Sequence, residues 1–199
     1  MKIAIIGAGK IGSTLGKKWA IAGHEIRFGV RNPSDQEYAD LQYIGAVVSV
    51  DEAINDADVA LVSLPGTAVV DFAKRHGAAL SGKIVIDSTN NVRSREMNNL
   101  AILKDQTPGA HLIRAFNNLG WENFDNPKLG SVRIDLFYCC DPDSHPVAEQ
   151  LISEVGLRPV YTGDLGAAPI VDGLTRLWFA LAMEQGYGRR IAFKMLEEE

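Results

Sequence analysis

The first sixteen residues, MKIAIIGAGKIGSTLG, limit what this chain can fold into more than any other stretch. Lys2 to Ile6 is an apolar run rich in β-branched residues and reads as a strand buried on both faces. It breaks at Gly7-Ala8-Gly9-Lys10-Ile11-Gly12, a G-x-G-x-x-G turn, and Ile11 to Ala22 then carries helical periodicity. Each glycine answers a mechanical need: Gly7 the tight turn, Gly9 the close approach of a pyrophosphate to the backbone, Gly12 the close packing of helix on strand. The pyrophosphate of a dinucleotide would rest on free N–H groups at the helix N-terminus, where the helix dipole also favours negative charge. A second strand, Glu25 to Val30, completes the context that separates a dinucleotide turn from a merely glycine-rich loop.

Further strand-like runs follow at Ala46 to Val50, Val59 to Leu64, Lys83 to Asp87, His111 to Asn117, Asp135 to Cys140 and Arg158 to Thr162. Helical segments are expected at Asp35 to Ile44, Asp51 to Asp56 and Thr67 to His76, with Asp51 and Ser144 placed as N-caps. This alternation predicts an α/β protein with a Rossmann-type, doubly wound, mostly parallel sheet. The nucleotide-binding domain is expected over residues 1–165. Residues 166–199 are expected to form a helical extension packed on it or at a dimer interface. There Leu174, Leu177, Trp178, Leu181 and Ala182 fall at helical spacing, read as one apolar stripe. The stripe can cover the sheet, pair two copies or close over a second substrate; Trp178, Phe179 and Tyr187 offer more aromatic surface than a simple cap requires.

In a doubly wound sheet the ligand lies across the carboxyl ends of the strands, so residues just after each strand are the informative ones. The second strand ends in Phe28-Gly29-Val30-Arg31-Asn32-Pro33. An acid about 20 residues past the glycine turn would hold the ribose 2′-hydroxyl of NAD, and none is present. Arg31 stands there instead, with a planar fork suited to a 2′-phosphate, so NADP is expected in preference to NAD. Ser63-Leu64-Pro65-Gly66 should run beside the nicotinamide ribose. Asp87-Ser88-Thr89-Asn90-Asn91 and Phe116-Asn117-Asn118 fall at the same sheet edge, where Asn90 and Asn117 are candidates to meet the nicotinamide carboxamide or the substrate.

A net charge of −5 with scattered lysines and arginines gives no footprint for nucleic acid. The two cysteines, Cys139 and Cys140, are adjacent in a strand and point to opposite faces, so neither a disulfide nor a metal site is expected. No apolar run is read as reaching the roughly 18 residues of a membrane helix, and a cytoplasmic protein is expected. His24, His76, His111 and His145 sit in turns or at element starts away from the expected cofactor edge, and no nucleophile–base pair is evident. Hydride transfer between planar rings fits this absence, because it relies on positioning and on the cofactors' own chemistry.

Together, Ile3 to Gly12, Gly29-Val30-Arg31-Asn32-Pro33, Ser63-Leu64-Pro65-Gly66, Asp87-Ser88-Thr89-Asn90 and Ala115-Phe116-Asn117-Asn118-Leu119-Gly120 resemble the NADP oxidoreductase, coenzyme F-420-dependent family. The resemblance covers roughly the first 165 residues. It implies a homodimeric enzyme passing a hydride between NADP(H) and the deazaflavin ring of coenzyme F-420; a flavin is the other planar acceptor expected. It also implies that Gly7, Gly9, Lys10, Ile11 and Gly12 form the pyrophosphate turn, that Arg31 binds the 2′-phosphate, and that Ser63, Leu64 and Pro65 flank the nicotinamide. The alternatives are a reductase of a small imine or carbonyl compound and an NADPH-binding sensor without turnover.

Overall fold

The computed structural model describes residues 1–198. The strands are β1 (Lys2–Ile6), β2 (Glu25–Val30), β3 (Ala46–Ser49), β4 (Val59–Val62), β5 (Ile84–Asp87), β6 (His111–Arg114), β7 (Lys128–Leu129), β8 (Val132–Arg133), β9 (Asp135–Cys140) and β10 (Arg158–Tyr161). The helices are α1 (Lys10–Ile21), α2 (Val50–Asn55), α3 (Val69–His76), α4 (Leu100–Gln106), α5 (Trp121–Asp125), α6 (His145–Val155) and α7 (Ala168–Phe179). Eight strands form one sheet in the order β10-β9-β6-β5-β4-β1-β2-β3, and β7 pairs only with β8. Strands β1 to β6 run parallel, as in a doubly wound nucleotide-binding sheet.

β1 shows why the sheet sits between two layers. Ile3 and Ile5 pack with Leu15, Trp19 and Phe28 on one side, while Ala4 and Ile6 pack with Ile54, Val62 and Phe72 on the other. These four side chains are at most 1% exposed, so a polar residue at any of them would be buried without a partner. The adjacent cysteines divide in the same way, Cys140 into the first layer and Cys139 into the second, and both are free thiols. Burial pushes the Cys139 thiol up to about 12.

The sheet is mostly parallel, as expected, with its last two strands reversed: β9 runs antiparallel to β6, and β10 parallel to β9. Several other expectations are corrected. Asp35 to Ile44 is not an α-helix: Gln36–Tyr43 is a 3-10 segment with only Leu41 buried, too little apolar face to hold a full helix on the sheet. The N-cap of α2 is Ser49, not Asp51. Ser49 and Glu52 form a reciprocal capping box, and Asp51 lies inside the helix, bonded to His76 at 2.7 Å. Ser144 does occupy the N-cap position of α6, but its hydroxyl donates to the carbonyls of Leu112 and Asp141 instead of capping.

The C-terminal stripe also resolves differently: it is two faces. Val171, Thr175, Trp178 and Ala182 are buried, whereas Leu174 and Leu181 are half-buried and Leu177 is exposed. Leu165–Glu184 is helical for 20 residues and apolar enough to reach the length and composition of a membrane span, contrary to the expectation from sequence. It is seated on the sheet, however, by Asp172, which bonds the fully buried Arg114, and by Thr175.

Candidate functional site

The turn after β1 is built as its glycines require. Gly7 has φ +98°, and a Cβ there would lie 2.5 Å from the Ser63 carbonyl oxygen. At Gly12 a Cβ would lie 2.2 Å from the Gly7 carbonyl oxygen and 2.9 Å from Ile5, so only glycine lets α1 come this close. At Gly9 a Cβ would meet nothing within 4 Å. The space over Gly9 is therefore open, between two glycines whose surroundings are closed. Gly9 is also the N-cap of α1 and has no side chain to bond the first-turn N–H groups, and no acidic residue stands in that turn. The helix thus presents unpaired donors and the positive end of its dipole to that space.

A cavity of about 450 Å³ opens there, lined by Gly9, Lys10, Ile11, Ser63, Leu64, Pro65, Gly66, Ser88, Thr89, Asn90, Trp121 and Arg189. A second space of about 600 Å³ shares Pro65, Gly66 and Asn90 with it and continues past Arg93 and Ser94. The ends of β1, β4 and β5 and the start of α5 thus converge on one long cleft. Of the expected site residues, Gly9, Lys10, Ile11, Ser63, Leu64, Pro65 and Asn90 are brought together in it. Gly7 and Gly12 lie beneath the turn, with Ala8 half-buried between Gly7 and Gly9. Arg31 and Asn32 follow β2 outside the cavity; Arg31 is exposed, and the Asn32 side chain accepts a hydrogen bond from Ser34 at 2.8 Å.

Asn117 is one layer behind the lining. Its backbone carbonyl accepts from Asn90 Nδ2 at 2.8 Å, its Nδ2 donates to Thr175 at 2.8 Å, and its buried Oδ1 has no partner among the described residues. The preceding Phe116 holds φ +60°, a left-handed conformation that costs a bulky residue of order 1–3 kcal/mol. Its ring is fixed edge-on between Trp19 and Phe124, at 5.6 and 5.7 Å, which locks the strained turn in place.

A buried ionic network sets the cleft floor. Arg114 is fully buried and reaches Asp87 at 3.2 Å and Asp172 at 2.7 Å. It also donates to the Thr89 carbonyl and to Asn90 Oδ1. Asp87 in turn accepts from Thr89 and from the Asn99 N–H. Asn90 is therefore held from two sides, by Arg114 and by the Asn117 carbonyl. Arg114 and Asp172 are 58 residues apart, and nothing local in the sequence announces the pair.

Sequence reasoning also missed Arg189. Residues 185–198 have no regular secondary structure but fold back as a strap. The carbonyls of Arg189 and Ile191 accept from Asn123, Ile191 also accepts from Trp178, and Arg190 donates to the carbonyls of Glu122, Asn126 and Lys128. The helical extension expected over residues 166–199 is corrected here: the last helical segment ends at Glu184, and Gly186 and Gly188, at φ +76° and +78°, turn the chain out of the helix. The histidines lie elsewhere: His24 bonds Glu154, His76 bonds Asp51, His111 faces Asp143 and His145 meets Tyr138. None lines the cleft.

Comparison with known proteins agrees with the resemblance read from sequence. Residues 2–91 match the family model described as NADP oxidoreductase coenzyme F420-dependent. The F420-dependent NADP reductase of Methanothermobacter marburgensis is 28% identical over 207 residues, covering 89% of this chain and 90% of that protein. A glycerol-3-phosphate dehydrogenase [NAD(P)+] of Pseudomonas fluorescens is 24% identical over 125 residues, 55% of this chain but 37% of the dehydrogenase. The chain thus spans little more than a third of that relative's length. Among solved structures, an Arthrobacter sp. FB24 chain provisionally described as an F420-dependent NADP reductase superposes with TM-score 0.85 at 18% identity, covering 99% of this chain and all of that one. A Streptomyces aurantiacus imine reductase gives TM-score 0.68 at 16% identity, over 93% of this chain and 64% of its own. At these identities the structures establish a common fold.

Proposed function

We propose that this chain, whose residues 2–91 match the F420-dependent NADP oxidoreductase family, is an NADPH-dependent oxidoreductase acting on a deazaflavin of the F420 type. The observation that carries the nucleotide half is the open space over Gly9, set between two glycines at which a Cβ would collide with backbone. A pyrophosphate there takes the unpaired N–H groups of the first turn of α1. Arg31, exposed past the end of β2, holds the 2′-phosphate. Ser63, Leu64 and Pro65 flank the nicotinamide, with Asn90 beyond them. NADPH supplies a hydride and its two electrons, the acceptor ring takes the hydride together with a proton from solvent, and NADP⁺ is left. The protein's part is to hold two flat rings in one cleft and to exclude water, which needs no acid–base pair of its own.

The F420 assignment draws on the relative that aligns along nearly its whole length. Nothing in the comparisons points to a flavin. Loss of NADPH absorbance by the purified protein, read in parallel with F420, FMN, FAD or no acceptor, tests the assignment. Consumption with F420 alone supports it. Tight NADPH binding without turnover on any of these refutes it and favours a sensor or an imine or carbonyl reductase. We propose further that two copies pair through the outward side of α7, where Ile170 is 62% and Leu177 45% exposed with Leu174 between them. Light scattering should give a dimer that Leu177→Asp converts to a monomer; a wild-type monomer refutes the pairing.

A further inference from the structure

We propose that Arg189, presented by the C-terminal strap, binds an oxyanion group, phosphate or carboxylate, carried by the acceptor. This rests on the reading above that an acceptor shares the cleft with NADPH. The chain carries 25 acidic against 20 basic residues, yet the two adjoining spaces are lined by Lys10, Arg93 and Arg189 and by no Asp or Glu. A cleft of that sign in an acidic protein selects anionic ligands.

Arg189 is the most organised of the three cations. Its Nε donates to Glu122 at 2.6 Å, and its guanidinium stacks over Trp178 at 5.4 Å. Its two terminal nitrogens have no partner among the described residues, so the edge of the fork that suits an oxyanion is left available. The geometry is built and not incidental. Gly120 leaves room for the Glu122 carboxylate, since a Cβ there would lie 2.6 Å from Glu122 Oε2, and the strap's own carbonyls are fixed by Asn123. Lys10 lines the same cavity with its ammonium 5.4 Å from the Trp121 ring centroid, at the first residue of α1, where the dinucleotide phosphates are assigned. Arg189 comes from the far end of the chain and is left for the second ligand.

The test uses the full chain saturated with NADP⁺, with Arg189→Gln, which keeps a polar stem over Trp178 without the charge, and Arg189→Lys as the conservative variant. In the first arm inorganic phosphate or glutarate, neither of which has a ring, is added at constant ionic strength and the thermal midpoint is read. A saturable rise in the wild type that Arg189→Gln abolishes and Arg189→Lys partly keeps supports the site, and the anion with the larger rise identifies the group. No rise, or the same rise in Arg189→Gln, overturns it. A parallel fall in NADP⁺ affinity in Arg189→Gln also overturns it, because Arg189 then serves the nucleotide.

In the second arm NADPH oxidation is followed with 5-deazariboflavin and with its 5′-phosphate. The phosphate should lower KM about tenfold in the wild type, with kcat little changed, and this advantage should vanish in Arg189→Gln. Equal KM for the two analogues in the wild type overturns the inference. If both analogues are inert while the anion effect of the first arm persists, the deazaflavin reading fails and the Arg189 site stands.

Discussion

Replacing Gly9 and Gly12 by alanine, one at a time, should separate binding from folding within a single turn. At Gly12 the new methyl would lie 2.2 Å from the Gly7 carbonyl oxygen and 2.9 Å from Ile5 Cγ2. The nearer obstacle is backbone, so no rotamer change relieves it, and α1 must retreat from the turn. Overpacking of this kind costs typically about 1–3 kcal/mol, and a rigid obstacle puts Gly12→Ala near about 3. For a chain of this size that lowers the thermal midpoint by about 6–12 °C. At Gly9 the methyl meets nothing within 4 Å, and the residue's φ of −70° suits alanine. A gain of about 0.4–1 kcal/mol from the stiffer unfolded chain is offset by alanine's poor standing as an N-cap, so the midpoint should move by no more than about 3 °C. The same methyl fills the approach to the first-turn N–H groups and should weaken NADPH and NADH alike by at least about tenfold. Differential scanning fluorimetry and titration of nicotinamide fluorescence give the two readouts. Two results refute the reasoning: Gly9→Ala destabilising as much as Gly12→Ala, or Gly9→Ala binding NADPH with wild-type affinity.

Three further outcomes are expected. Arg31→Ala should weaken NADPH binding by about tenfold or more and leave NADH within about twofold, as a lost charge-assisted phosphate contact requires, and equal loss for both nucleotides removes the 2′-phosphate role. Asp172→Asn leaves the buried Arg114 with Asp87 alone and should cost about 3 kcal/mol in urea unfolding, the low end for a broken buried pair; a loss under about 1 kcal/mol shows the pair to be dispensable. Burial pushes the Asp135 carboxyl up, but Arg158, Lys194 and the Met195 N–H outweigh it and hold the group below its usual range. A depressed folded value gives stability that is complete above the unfolded value of about 4 and is lost as the pH falls through the folded one. Thermal midpoints should therefore fall more steeply below about pH 4 in the wild type than in Asp135→Asn, and parallel curves would refute the link.

What the sequence made legible follows from the range of the forces involved. The eight sheet strands were readable as short runs rich in apolar and β-branched residues set off by turns, most clearly β1 and β4, which are covered on both faces, and each was found with ends shifted by no more than three residues. The reversal of β9 was not readable, because an apolar run looks the same in either direction and its sense is set by the path through α5 and the β7–β8 hairpin. The α7 stripe misled for a related reason. Leu177 and Trp178 are neighbours in any helical count, and only the surface they meet decides that Trp178 is buried while Leu177 is exposed. At the site, the residues taken from the ends of β1, β4 and β5 came together because the topology places those ends on one edge, whereas Arg31 and Asn32 past β2 and Asn117 past β6 fall outside the lining. Arg114 and Arg189 owe their places to partners 58 and 67 residues away and left no local pattern.

That division bears on how the cleft was assembled. The family match ends at Asn91, inside the cleft, and takes in the glycine turn, Arg31, Pro65 and Asn90. Trp121, Asn117, Thr175 and Arg189 lie outside it, as does all of α7. The polar contacts of α7 go to residues beyond the match that pack against the loop carrying Asn90: Asp172 to Arg114 and Asn98, Thr175 to Asn117, Arg176 to the carbonyls of Ser94 and Arg95. The C-terminal helix therefore braces the loop that carries Asn90, and the strap beyond it adds Arg189 to the lining of the same cavity. On the proposed reading, the nucleotide side is constrained by Gly7 and Gly12, where a Cβ meets backbone, whereas the acceptor side is formed by a helix and a strap whose lining can change without disturbing the turn. The Arg189 variants probe this directly, since a change confined to acceptor KM with nucleotide affinity intact is what independent halves require.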